Sequence, residues 1–106
     1  MDYLNDMFSL KGNVALVTGG SYGIGFAIAK SLARAGAVIA FNCRSQEHLD
    51  QAMKDYKREG IDAHGYICDV TDEIHVQQLV SKIEKTLGTI DILVNNAGII
   101  KRIPMW

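Results

Sequence analysis

The chain has 106 residues, of which 48% are hydrophobic and 22% charged, and its 11 basic and 12 acidic side chains leave a formal net charge of −1. This composition is typical of one folded domain and excludes a disordered segment, while the balanced charge argues against a nucleic-acid-binding protein, which usually has a basic excess. No apolar run approaches the roughly 18 residues that cross a bilayer, and the acidic N-terminus is unlike a signal peptide, so we expect a cytoplasmic protein with neither nucleic-acid nor membrane partners.

Along the chain, short apolar runs alternate with segments in which apolar residues recur at helical spacing. Residues 14–17 form an uninterrupted apolar run, which is typical of a strand covered on both faces. A helix is predicted after Gly25, and it should end at Gly36, since glycine readily takes the positive φ found there. Spacings of three and four residues give this helix one inward face, formed by Ile24, Ala27, Ile28, Ser31, Leu32 and Ala35.

The alternation of strand and helix then continues up to a fourth strand. A second strand is predicted at residues 37–41, followed by a helix that is capped by Ser45 and ends at Gly60. A third strand is predicted at residues 63–68, then a helix that is capped by Thr71 and ends at Gly88, and then the fourth strand at residues 90–94. The residues predicted to face inward from these two helices are Leu49, Ala52, Met53, Tyr56, Leu79, Val80 and Ile83.

Strict alternation of strands and helices predicts an α/β fold. Neighbouring parallel strands need crossover connections, and right-handed crossovers place helices on both faces of the sheet. We therefore expect a doubly wound parallel sheet (a Rossmann fold) that forms a single domain over residues 1–106. In such a sheet, ligands bind beyond the carboxyl ends of the strands, where the strand order reverses.

The first loop at that edge is rich in glycine. Gly19 permits a tight turn, Gly23 lets the backbone approach a bulky anion, and Gly25 allows helix and strand to pack closely. The loop leads from a predicted strand into a predicted helix, whose free N–H groups would face a pyrophosphate. We therefore predict a dinucleotide site rather than a flexible turn, and its other members here are Ser21, Tyr22 and Ile24.

The second loop predicts which dinucleotide is bound. An acidic residue about 20 positions after the glycines normally binds the ribose hydroxyls of NAD, but here Arg44 lies 19 positions after Gly25. A guanidinium can bind a 2′-phosphate through paired charge-assisted hydrogen bonds, and Ser45 can donate another. The loop thus favours NADP(H) over NAD(H), and the alternative is that Arg44 is a solvated surface charge.

The third and fourth loops add polar groups at the same edge. Asp69 is predicted to accept a hydrogen bond from the adenine amino group, with the backbone of Val70 beside the ring; the alternative is an acid that only begins a helix. The fourth loop has two amides, a small residue and a glycine, so its backbone can pass close to the cofactor while the amides bind neighbouring strands. It can also be a simple turn, and its residues are Asn95, Asn96, Ala97 and Gly98.

Cysteine and histidine indicate no metal site. Cys43 and Cys68 stand 25 positions apart, and no C-x-x-C pair occurs. A zinc site needs about four ligands at characteristic spacings, which the histidines do not complete. We expect two reduced thiols and three ordinary surface histidines, at His48, His64 and His75.

These four loops, in this order, resemble the classical short-chain dehydrogenase/reductase family over the whole chain. Thr18-Gly19-x-x-x-Gly23-Ile24-Gly25 is similar to the family's cofactor fingerprint, Asp69-Val70 to its adenine-contact pair, and Asn95-Asn96-Ala97-Gly98 to its sheet-stabilising motif. Residues 8–12, 21–26 and 98–105 resemble members that interconvert D-gluconate and 5-keto-D-gluconate. One departure is Cys43, where relatives often have Asp, and it fits a change toward the 2′-phosphate.

The resemblance implies the cofactor-binding part of a nicotinamide-dependent oxidoreductase that acts on a sugar acid and is a homo-oligomer when complete. The family's catalytic Tyr, Lys, Ser and Asn belong to segments after the fourth strand and its loop. We therefore assign no catalytic residue here, regard the domain as C-terminally incomplete, and expect the 106-residue chain alone to be inactive. Lys101 and Arg102 could attract a sugar carboxylate or be solvated charges. The alternatives are a stand-alone dinucleotide-binding module and a reductase of 3-oxoacyl thioesters.

Overall fold

The computed structural model describes residues 9–21 and 23–96, and within these ranges strands and helices alternate as predicted. All four strands are parallel, and their order across the sheet is β3-β2-β1-β4. The strands are β1 Val14–Thr18, β2 Val38–Cys43, β3 Ala63–Ile67 and β4 Ile90–Asn95, and the helices are α1 Gly23–Arg34, α2 Gln46–Arg58 and α3 Glu73–Thr86.

Strand β1 is the buried centre of the sheet, and all five of its residues are buried. Ala15 and Val17 pack on one side against α1 and α2, while Val14 and Leu16 pack on the other side against α3. Helices therefore cover both faces, which confirms the doubly wound α/β fold. After β3 at one edge, the chain crosses back past β1 to form β4, so the strand order reverses beside β1.

The register between β1 and β4 shifts at Val14/Ala15. The backbone N–H of Val14 donates to the Asp91 side chain, with 2.8 Å between the nitrogen and Oδ2. The carboxylate of the exposed Asp91 thus satisfies a backbone donor at the irregularity.

Strand β2 continues two residues further than predicted, because Asn42 pairs with Thr18 of β1 and Cys43 pairs with Ile67 of β3. The predicted helix ends are confirmed: Gly36, Gly60 and Gly88 have φ of 106°, 76° and 110°. The Ser45 cap of α2 is also confirmed, since its side chain accepts a hydrogen bond from the His48 N–H.

Thr71 does not cap α3, and this prediction is wrong. Asp72 is the cap, and its carboxylate accepts from the N–H groups of Ile74 and His75. The Thr71 hydroxyl instead donates to Asp69 Oδ1 at 2.6 Å. A carboxylate at the cap also suits the positive end of the helix dipole.

The predicted inward faces of α1 and α2 are partly wrong. Ile24 is 73% exposed, and Ala27 and Ser31 are also exposed. The buried residues of α1 are instead the small Gly25 and Ala29, and at Gly25 a Cβ atom would overlap the Gly19 carbonyl of the preceding loop. In α2, Ala52 and Tyr56 are buried as predicted, but Met53 is 40% exposed, since β3 is the edge strand and the described sheet does not extend beyond it.

Candidate functional site

The glycine-rich loop after β1 is held by side chains from two other elements. Gly19 has φ of 66°, a conformation that glycine adopts without strain. Its N–H donates to Asn42 Oδ1 at 3.0 Å, and its carbonyl accepts from Asn96 Nδ2 at 3.2 Å. Both backbone groups of this residue are therefore fixed by amide side chains at the carboxyl ends of β2 and β4.

Gly25 and Gly23 differ in what surrounds them. A Cβ atom on Gly25 would overlap the Gly19 carbonyl and lie 2.6 Å from Asn96 Nδ2, so only glycine lets α1 begin this close to the loop. Gly23 has φ of 63°, and a Cβ there would meet no protein atom within 4 Å. The backbone at Gly23 thus borders open space, as the predicted approach to an anion requires.

An open groove of about 650 Å³ lies beside this loop. It brings together seven of the residues predicted to bind the cofactor, and it adds two that the sequence analysis did not assign. The seven are Gly19, Ser21, Gly23, Ile24, Arg44, Ser45 and Asn96, and the two are Cys43 and His48.

The electrostatics of the groove favour an anion. The N-terminal ends of helices α1 and α2 both border the groove, at Gly23 and at the cap residue Ser45. The N-terminal end of a helix attracts negative charge. None of the nine described lining residues carries a carboxylate, and Arg44 adds a permanent positive charge. Burial raises the pKa of the Cys43 thiol, so this side chain stays neutral beside Arg44.

The Ser45 hydroxyl can still donate one hydrogen bond to a ligand. Its oxygen already accepts from the His48 N–H at 3.2 Å, which caps α2. The hydroxyl hydrogen can still donate, since a serine hydroxyl is both donor and acceptor. The predicted role of Ser45 is therefore compatible with its role as a cap.

Asp69 and Val70 follow β3 and are not among the residues that line this groove. Asp69 Oδ1 accepts from the hydroxyl and the N–H of Thr71, and these hydrogen bonds, with a smaller contribution from the Arg44 charge, hold the pKa of the carboxyl below its usual range. Asp69 is thus charged and oriented by its own turn, while its contact with adenine stays a prediction.

The fourth loop fulfils its predicted structural role where it is described. The Asn96 N–H donates to Thr18 Oγ1 at 3.0 Å, and the Thr18 hydroxyl donates to the Val94 carbonyl at 3.2 Å. Together with the Asn96 amide bond to Gly19, these contacts join the ends of β1 and β4. Tyr22, Ala97 and Gly98 lie outside the described residues, as do Lys101 and Arg102.

Two buried polar side chains near the loop were not predicted as site residues. Asn42 is 2% exposed, and besides accepting from Gly19 it donates to the Cys68 carbonyl at 3.1 Å. Tyr56, predicted as a core residue, donates its hydroxyl to the Gly20 carbonyl. A polar residue at the end of an apolar strand run is the signal that could have identified Asn42, whereas nothing in the local pattern distinguishes Tyr56.

The described part of the chain offers neither a cluster of metal ligands nor a membrane-spanning helix. Residues 9–21 and 23–96 contain no group of three or more His, Cys, Asp or Glu side chains that could hold a metal ion. In the same residues, no helix combines the length and apolar character that a membrane span requires.

Comparisons with known proteins agree on one family. The sequence profile described as short chain dehydrogenase matches residues 13–105. The crystal structure of 2-keto-3-deoxy-D-gluconate dehydrogenase from Streptococcus agalactiae superposes with a TM-score of 0.89 at 60% sequence identity, covering 98% of this chain and 39% of that one.

Two curated relatives are named as dehydrogenases of sugar acids. The 2-dehydro-3-deoxy-D-gluconate 5-dehydrogenase of Formosa agariphila is 54% identical over 101 residues, which are 94% of this chain and 38% of the relative. The gluconate 5-dehydrogenase of Gluconobacter oxydans is 50% identical over 100 residues, covering 94% of this chain and 39% of the relative. The chain therefore spans about two fifths of the length of these relatives.

Proposed function

Because the chain belongs to the short-chain dehydrogenase family, we propose that it is the cofactor-binding part of an oxidoreductase. The reaction transfers a hydride between a nicotinamide cofactor, NADP(H) in preference to NAD(H), and a sugar acid. The observation that carries this proposal is the groove at the carboxyl edge of the sheet, which has two helix N-termini, Arg44, and no carboxylate among its described lining residues.

The groove supports a cofactor that extends from α1 to α2. The cofactor's pyrophosphate would lie at the N-terminus of α1, where Gly23 leaves open space and the helix end favours negative charge. Its adenosine end would lie at the N-terminus of α2, where Arg44 and Ser45 would bind the 2′-phosphate. Cys43 supports this choice because a neutral thiol does not repel a phosphate.

The relatives support a sugar acid as the substrate class. Their names refer to gluconate and to 2-keto-3-deoxy-gluconate, which are both polyhydroxylated carboxylic acids. We propose gluconate and 5-keto-gluconate as the substrate pair, with 2-keto-3-deoxy-gluconate as the related compound to test. When bound, the nicotinamide would supply the hydride acceptor, and this chain would hold and orient it.

We also propose that residues 1–106 belong to one dinucleotide-binding domain, rather than forming a separate binding module. The apolar side chains of β4 are half-buried, although those of the central strand β1 are fully buried. A further part of the same domain would complete the burial of β4, in agreement with the share of the relatives that the chain spans.

The complete enzyme should oxidise a sugar acid. With NADP⁺ as cofactor, gluconate or 2-keto-3-deoxy-gluconate should give reduced nicotinamide, followed by its absorbance, and NAD⁺ should give a lower kcat/KM. A 3-oxoacyl thioester with NADPH is the matched comparison. Turnover of that thioester, with none of either sugar acid, would contradict the substrate class.

A further inference from the structure

Tyr56 connects the middle of the hydrophobic core to the glycine-rich loop. It lies near the end of α2, is 1% exposed, and packs between the rings of Phe26 at 4.6 Å and Phe41 at 4.9 Å between centroids. Its hydroxyl donates to the Gly20 carbonyl, 36 positions away in sequence. The contact joins α2 to the loop at the opposite end of the helix from Ser45.

The hydrogen bond fixes the orientation of one peptide group in the loop. All described peptide bonds are trans, and in a planar trans peptide the carbonyl oxygen and the next N–H point in opposite directions. Because Tyr56 holds the Gly20 carbonyl toward the core, the N–H of Ser21 is directed away from the core. Ser21 lines the groove, and its N–H leaves the loop on the side opposite the Tyr56 hydroxyl.

Three consecutive peptide groups are therefore each held by a side chain from a separate element. Asn42 binds the Gly19 N–H, Asn96 binds the Gly19 carbonyl, and Tyr56 binds the Gly20 carbonyl. The first two fix the turn itself, while the third fixes the peptide that leads toward α1. A loop held in this way presents its donors without reorganising when a ligand binds.

We propose that Tyr56 is a positioning residue for the cofactor's pyrophosphate, which it serves by orienting the Ser21 N–H toward the groove. This inference rests on the proposed dinucleotide site and extends it to a residue in the core. Burial raises the pKa of the Tyr56 hydroxyl, so the group keeps its proton and remains a donor at neutral pH. Ring packing alone would not give Tyr56 this effect on phosphate binding.

Tyr56→Phe isolates the hydroxyl, because the phenyl ring keeps its contacts with Phe26 and Phe41. The matched control is Tyr66→Phe, whose ring belongs to the opposite face of the sheet and lies 5.7 Å from Lys82 Nζ. Calorimetric titration of the complete enzyme would use NADP⁺, NAD⁺ and adenosine 2′-monophosphate. The last ligand has the 2′-phosphate but lacks the pyrophosphate.

In Tyr56→Phe we expect Kd to rise about fivefold for both dinucleotides and to stay unchanged for adenosine 2′-monophosphate. Tyr66→Phe should leave all three affinities unchanged. An equal loss for all three ligands, or no loss for any in a folded variant, would overturn the positioning role. If the unaltered enzyme bound neither dinucleotide, the proposed function itself would fail instead, which separates the two outcomes.

Discussion

Arg44 is the one permanently charged side chain among the nine described residues that line the groove. It is exposed and precedes the first turn of α2, while neighbouring Cys43 is buried and neutral. The residues from Gly25 to Gln46 contain no acid that could bind the ribose hydroxyls of NAD instead. We therefore propose that, at the residue scale, cofactor preference depends mainly on this guanidinium.

Arg44→Asp should reverse the cofactor preference. We expect the Kd for NADP⁺ to rise about 10-fold to 100-fold, because charge-assisted hydrogen bonds to the 2′-phosphate are lost and a carboxylate repels it. The Kd for NAD⁺ should stay the same or fall. Titration of the complete enzyme with each cofactor measures the ratio.

Lys57→Asp provides the matched control for this change. Lys57 is exposed in the last turn of the same helix, so the substitution makes an equal charge change far from the groove's lining. The control should leave the ratio of the two dissociation constants unaltered. A ratio that is also unaltered in Arg44→Asp would refute the assignment of Arg44 to the 2′-phosphate.

At the element scale, the order and type of all seven described elements follow from periodicity and glycine positions. Helix faces are less well predicted: Ile24 is exposed because α1 contacts the loop through Gly25, a contact set by close approach rather than by apolarity. The bonds from Asn42 and Tyr56 link residues 23 and 36 positions apart. Such bonds depend on how elements that are distant in sequence pack together, and local sequence patterns do not contain that information.

Gly25→Ala tests the close approach between α1 and the loop. The added Cβ would overlap the Gly19 carbonyl, so we expect the free energy of unfolding to fall by about 1–3 kcal/mol and the affinity for both dinucleotides to fall with it. Denaturant unfolding and calorimetric titration measure the two effects.

Gly88→Ala is the control, because it adds backbone strain without a steric clash. Gly88 has φ of 110° at the end of α3, and a Cβ there would meet no atom within 4 Å. We expect a loss of about 1 kcal/mol of stability with unchanged dinucleotide affinity. If Gly25→Ala bound both dinucleotides as tightly as the unaltered enzyme, the contact between helix and loop would not matter for binding.

At the scale of the whole molecule, the sheet is unequally covered. Strand β1 is fully buried, but the apolar residues Ile92, Leu93 and Val94 of β4 are half-buried, and β4 lies at an edge of the described sheet. Exposed strand edges with apolar side chains pair readily with other chains. The described residues by themselves thus present a surface that favours association.

The 106-residue chain alone should show no dehydrogenase turnover and should associate in solution. We expect no reduction of NADP⁺ with gluconate, since the chain has no residues assigned to catalysis, and species larger than the 11.7 kDa monomer on sedimentation. The complete enzyme, assayed in parallel, is the positive control. Measurable turnover, or a stable monomer at all concentrations, would contradict the corresponding part of this prediction.

Asn42 allows two properties of the cofactor site to change independently. Its side chain joins the glycine-rich loop to the Cys68 carbonyl after β3, and it lies one residue before the segment that we propose binds the 2′-phosphate. We therefore expect that replacing residues 43–45 would exchange one cofactor for the other while the glycine-rich loop keeps its shape. A designer who alters cofactor choice in this chain should vary Cys43, Arg44 and Ser45 and leave Asn42 untouched.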